Sequence, residues 1–195
     1  EVLLGQCSAR DAILTTPFKG VELIPSSMAL AAAELELADM RDRVMRLKEE
    51  LVRVKGEYDF VLIDCPPSLG MVTLNALSAC DSLIIPIQCE YYALEGLSQL
   101  VTTVRQVKRL YNPGIEIEGV LLTMYDGRLN LTLQVVDEVK KYFPEKVFKN
   151  VIPRNVRLSE APSFGQPVLY FDRSSRGSQA YEALTAEILD KNRKG

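Results

Sequence analysis

The sequence predicts an α/β fold: a mostly parallel sheet with helices on both faces. Three observations carry this expectation. Short runs of consecutive apolar residues alternate with longer segments whose apolar residues recur at three- and four-residue steps, the pattern of buried strands joined by crossover helices. Several of those runs stop at or beside proline, which cannot continue a central strand. A length of 195 residues with 47% hydrophobic content can fill one sizeable core.

In chain order, residues 1–20 read as short and mixed, ending in a loop. Residues 21–25 read as a short strand stopped by Pro25. Ser26 or Ser27 can then cap a long helix, whose stripe runs through Leu30, Ala33, Leu37, Met40, Val44, Leu47, Leu51 and Val54 until Gly56 ends it. Phe60 to Ile63 are four apolar residues in a row, as in a strand buried on both faces, and Asp64 closes them. Residues 73–79 read as a short helix and 82–87 as a second buried strand. Residues 92–111 read as a helix with Leu94, Leu97, Val101, Val104 and Val107 inward, broken by Asn112-Pro113-Gly114. A third buried strand is expected at 117–124, a helix at 129–143, a fourth strand at 147–152, an edge strand at 166–171 and a last helix at 175–191. Neither a repeat nor an internal linker interrupts this, so residues 1–195 read as a single domain.

Right-handed crossovers would gather the carboxyl ends of these strands along one rim. Open α/β sheets bind their ligands at that rim. It would hold residues 64–67, 88–90, 123–128 and 153–157. Asp64 there has two readings: a carboxylate reaching Mg²⁺ through water beside nucleotide phosphates, or a strand-end residue capping the next turn.

Composition closes off several chemistries. Histidine is absent, which removes serine-triad and imidazole catalysis. Cys7, Cys65, Cys80 and Cys89 form no C-x-x-C pair and read as reduced, mostly packed thiols of a cytoplasmic protein. Residues 1–5 lack the basic start of a signal peptide, and no segment approaches the roughly 18–20 apolar residues of a membrane span. The net charge of −3 hides an asymmetry: residues 128–157 carry seven basic side chains against three acidic, leaving +4 there and −7 elsewhere. That is either a local positive face or an ordinary solvated helix surface.

Four stretches then resemble one family in the same order. Phe60-Val61-Leu62-Ile63-Asp64-Cys65-Pro66-Pro67-Ser68-Leu69-Gly70 resembles the Walker B and switch II segment of ParA/Soj-type partitioning ATPases. Tyr91-Tyr92-Ala93-Leu94-Glu95-Gly96-Leu97, the run from Gly119 to Arg128 and the run from Ile152 to Gly165 resemble the same family. The resemblance implies a P-loop fold of the ParA/MinD type, ATP and Mg²⁺ as cofactors, and a homodimer formed on ATP binding. It also implies nonspecific DNA and a ParB-type protein as partners. Asp64 would be the Walker B aspartate, and Pro66, Pro67 and Gly70 would belong to switch II. Thr123, Met124, Pro153 and Asn155 would form the adenine region, with Asn155 as a plain turn former the alternative. Arg128 and Arg157 resemble the DNA-binding arginines, with Arg154, Lys149 and Arg176 as neighbours.

One departure stands against these agreements. Neither G-x-x-x-x-G-K-[ST] nor its deviant form occurs in the 195 residues. In the family that loop cradles the phosphates with its amides and lysine. The resemblance therefore implies a member lacking the Walker A portion, its first strand and the switch I aspartate, with apolar surface and sheet edges exposed as a corollary. Such a chain alone would neither bind ATP tightly nor hydrolyse it. Other classes remain open: a MinD-like division-site ATPase, or a non-catalytic fragment acting as an interaction module. The MinD-like reading needs a basic amphipathic tail at a membrane surface. Residues 184–195 instead mix acidic with apolar positions. The iron–sulphur reductase relatives need cluster-ligating cysteines, and Cys65 sits beside the Walker B position instead.

Overall fold

Residues 1–90 and 95–193 are described by a computed structural model. They fall into two compact units, Glu1–Asp81 with Leu100–Glu116, and Ser82–Gln99 with Ile117–Gly195. The helix start expected at Tyr92, and Tyr91 to Leu94 of the second stretch, lie outside the described residues.

In the first unit, α1 (Ala9–Ala12) is capped by Ser8, whose hydroxyl accepts from the Asp11 N–H. Strand β1 (Leu14–Thr15) pairs antiparallel with β2 (Glu22–Leu23). The short strand expected near 21–25 is thus one arm of a hairpin. Its turn is closed by Thr16, whose hydroxyl donates to the Val21 carbonyl at 2.6 Å, a local bond that hydrophobic patterning does not reveal.

The long helix expected over 27–54 is broken into α2 (Ala29–Ala38) and α3 (Arg46–Leu51). Between them Asp42 takes a left-handed φ of 55°. The cause lies in another element. Asn75 of α4 (Met71–Ala79) is fully buried and donates to the Arg43 carbonyl at 2.7 Å, while its own oxygen accepts from the Leu47 N–H at 3.1 Å. The amide takes up backbone groups that a continuous helix would have paired internally. The apolar stripe survives the break, with Ala33, Leu37, Val44 and Val54 buried. Asn112 performs a similar service, donating to the Leu77 and Cys80 carbonyls at 3.0 and 2.7 Å.

Residues 60–63 are a second correction. They form no strand, and Phe60, Val61 and Leu62 are 48%, 42% and 88% exposed. A strand exists only through its ladder, and no described segment supplies one here.

Helix α5 (Glu95–Leu110) buries Leu97, Val104 and Val107, as its periodicity predicts. In the second unit β3 (Ser82–Gln88) lies beside β4 (Glu116–Thr123). The Glu116 N–H donates to Asp81 at one end and the Cys89 N–H to Thr123 at the other, so the two run in the same direction. Residues 146–153 follow the far side of β4 through parallel bridges at Val120–Val147 and Tyr125–Pro153. The Phe148 and Ile152 N–H groups donate to Val120 and Leu122 at 3.0 and 2.9 Å. This is the parallel run that the third and fourth apolar segments predict.

Helices α6 (Asn130–Tyr142), α7 (Val156–Glu160), α8 (Val168–Phe171) and α9 (Arg176–Arg193) complete the second unit. The core joins Leu121, Phe148 and Ile152 of the strands to Leu184 of α9, with Ile84, Leu158, Ala180 and Ile188 around it. Each such large apolar side chain contributes about 1.5–3 kcal/mol. The edge strand expected at 166–171 is instead the helical turn α8. Pro167 sits just ahead of it with φ −60°, where a missing N–H costs nothing, and Phe171 stacks on Phe164 with ring centroids 5.0 Å apart.

Candidate functional site

The residues expected at the phosphate end belong to the first unit. Asp64, Pro66 and Pro67 are exposed, and Gly70 sits immediately before α4. At that helix start the Glu34 carboxylate of α2 accepts from the Val72 N–H at 3.1 Å, an anion placed against the positive end of the helix. A β-carbon at position 70 would lie 2.4 Å from the same carboxylate, so a larger residue there would have to displace the Glu34 side chain. Nothing in the pattern of the chain signals this contact of Glu34.

Magnesium is bound by few protein carboxylates, with waters and phosphates completing its shell. Asp64 supplies one carboxylate, and among the described residues no group of three or more His, Cys, Asp or Glu could hold a metal. These residues fit Mg²⁺ only as an outer partner of a bound nucleotide, not as a metal site of their own.

The remaining candidates belong to the second unit, where the parallel strand ends do bring them together. The Thr123 hydroxyl donates to the Ile87 carbonyl at 3.2 Å, and the Thr123 carbonyl accepts from the Cys89 N–H at 3.1 Å. Met124 has φ 53°, an uncommon conformation for a residue with a side chain. Tyr125 then bridges Pro153, its N–H donating to Ile152 at 3.0 Å. Thr123, Met124, Pro153 and Asn155 are all partly exposed. Asn155 is also a helix cap: its side-chain oxygen accepts from the Arg157 N–H at 2.9 Å and starts α7.

The basic candidates are exposed but not bare. Arg128 forks onto Asp126, Nε to Oδ1 at 2.9 Å and a terminal nitrogen to Oδ2 at 2.7 Å. Arg154 reaches Glu90 at 3.1 Å. Arg157 reaches Glu160 at 2.8 Å and Asp172 at 3.3 Å. Lys149 and Arg176 are exposed, the latter opening α9. The bond and charge of Arg128, with its backbone N–H, hold the Asp126 carboxyl down at about 2. Two of the four carboxylates, Glu160 and Asp172, follow the span 128–157 and two, Glu90 and Asp126, precede it, so the charge of its three arginines is paired locally. The Asp126–Arg128 and Arg157–Glu160 pairs went unread, although their short spacings could have signalled them. Glu90 and Asp172, far from their arginines in the chain, had no such signal.

The parallel strands packed with helices define an α/β fold. A family model described as an AAA domain matches residues 1–117. A solved structure of cobyrinic acid a,c-diamide synthase from Mycobacterium smegmatis is similar over 97% of this chain and 70% of its own, with a TM-score of 0.82 and 34% identity. The same protein with bound ADP and magnesium gives 0.74 and 38%, covering 80% of this chain and 63% of that one. Among curated proteins, the sporulation initiation inhibitor protein Soj of Bacillus subtilis is 54% identical over 188 residues, 96% of this chain and 74% of Soj. The chromosome partitioning protein ParA of Myxococcus xanthus is 47% identical over 192 residues, 98% of this chain and 68% of ParA. The chain belongs to the ParA/Soj family of chromosome-partitioning ATPases. Among the described residues no helix is long and apolar enough to cross a membrane.

Proposed function

We propose that this chain acts as a ParA/Soj-type segregation ATPase subunit whose ATP-bound dimer holds nonspecific DNA and is reset by a ParB-type partner. The observation that carries the reading is the gathering of Thr123, Met124, Arg128, Pro153, Arg154 and Arg157 at the ends of adjacent parallel strands, on a chain with 54% identity to Soj. The apolar faces of Met124 and Pro153 would take the adenine ring. Asn155 supports them by fixing the start of α7 through its bond to the Arg157 N–H. Arg128 and Arg157 would meet DNA phosphates with planar forks that stay charged at any working pH, a sequence-blind and salt-sensitive contact.

Phosphoryl transfer rests on positioning and charge neutralisation by a phosphate loop. No such loop occurs in these 195 residues. Asp64 therefore has no phosphate-bound ion to steady, and the chain by itself is expected not to turn ATP over. Two measurements test the reading. Phosphate release by the chain with ATP and magnesium should stay at the buffer rate, and magnesium-dependent turnover would refute the inactivity. In a protein that carries the phosphate loop and is loaded with ATP, retention on random-sequence DNA should weaken in Arg128→Ala and Arg157→Ala, and unchanged retention would remove the DNA assignment.

A further inference from the structure

The arginines at the strand ends share one feature that their roles in DNA binding do not require. Each guanidinium already lies against carboxylates of its own chain. Arg128 is gripped at both Nε and a terminal nitrogen by Asp126, the geometry in which it would otherwise grip a phosphate. Arg157 is held from two sides, by Glu160 one helical turn along α7 and by Asp172 just after α8. Arg154 reaches Glu90, which follows the end of β3. Three cations thus face four anions, and the groups are exposed enough for a phosphate to compete for them.

We propose that Asp126, Glu90, Glu160 and Asp172 are intramolecular competitors for phosphate, which mask the arginine forks and set a low basal affinity for DNA. This rests on the DNA-binding reading of Arg128 and Arg157 given above. A carboxylate and a phosphate oxygen cannot occupy the same guanidinium edge, so each contact made to DNA breaks one internal pair. Exposed pairs of this kind are screened by water and salt, so each mask lowers affinity by at most about fivefold, and together they make DNA retention dependent on whatever moves the loops at 90, 126 and 172 away from the arginines.

The distinction between a masking carboxylate and a merely structural one can be made with isosteric amides. Asp126 also accepts from the Arg128 backbone N–H at 3.1 Å, a bond that holds the loop and that asparagine keeps through its own oxygen. Asp126→Asn thus removes the charge and leaves the turn. Glu160→Gln does the same at the separate Arg157 pair. Fluorescence anisotropy of a labelled random-sequence duplex, measured with ATP across a potassium chloride series on a protein that carries the phosphate loop, gives the affinity and salt slope of the parent, of each variant and of Arg128→Ala. Masking predicts that both amide variants bind about two- to fivefold tighter than the parent chain. Arg128→Ala should bind more weakly, with a salt slope shallower by about one. If Arg128→Ala weakens binding while both amide variants bind as the parent or worse, masking is overturned and the DNA reading stands. If Arg128→Ala binds as the parent does, or no variant binds at low salt, the DNA reading itself fails and masking with it.

Discussion

Glu187 of α9 holds Asn150 twice, accepting from its backbone N–H at 3.0 Å and from its side-chain amide at 2.8 Å. The same carboxylate accepts from the Lys149 N–H at 2.9 Å. Burial pushes its pKa upward, but these three bonds and the nearby Lys191 charge outweigh that and hold it below the ordinary glutamate value. The pair fixes the last parallel run against α9, beside the contact in which Lys191 lies 4.2 Å over the Phe148 ring.

Glu187→Ala should cost about 1–3 kcal/mol in urea unfolding, because it leaves two backbone donors and an amide without their acceptor. Glu187→Gln keeps one acceptor and should cost less. The acid dependence has a defined sign. The native carboxyl binds its proton more weakly than the unfolded one, so its contribution is complete above the unfolded pKa and is lost as pH falls through the native value. The Glu187→Gln protein should lose less stability over that acid window than the parent.

Asp126 offers a second titration. Its carboxyl carbon should follow a midpoint of about 2 by NMR in the parent chain, and in Arg128→Ala it should return towards the ordinary 3.8. A midpoint that does not move would show that Arg128 is not its partner in solution.

Asn75→Ala should be among the more damaging changes in the first unit, at about 2–4 kcal/mol. It strips the partly buried Leu47 N–H of its acceptor and the Arg43 carbonyl of its donor. Thermal melting checks this, and Asn75→Asp should also be damaging, because it sets a buried carboxylate against the Arg43 and Met71 carbonyls.

Leu62, the most exposed of the apolar residues at 60–63, supplies a solubility test. Leu62→Lys should suppress concentration-dependent association in light scattering and leave the urea midpoint within about 0.5 kcal/mol. A large drop in stability would mean that the leucine is packed.

Much of the second unit was legible because its signals are local. The runs at 82–88 and 116–123 and the helix at 130–142 were found within a residue or two, since apolar runs and helical stripes follow directly from which faces are covered. The first unit was less legible. The helix break near Asp42 is dictated by Asn75, some thirty positions away, and no periodicity in 27–54 records it. The apolar run 60–63 had the composition of a buried strand, but a ladder needs a neighbour that composition cannot supply. At the strand ends the arginines could be picked out by resemblance. Their partners Glu90 and Asp172 could not, because surface pairing across long sequence separations leaves no pattern in the chain.

Gly119 of β4 lies under the Phe148 ring, and a β-carbon built there would stand 2.4 Å from the ring edge. The ring belongs to a filled core and cannot simply swing aside. Positions 119 and 148 are therefore bound in their evolutionary histories. A descendant that acquires alanine at 119 should survive mainly where the aromatic at 148 has already shrunk, and among homologues the two columns should change hands together rather than one at a time.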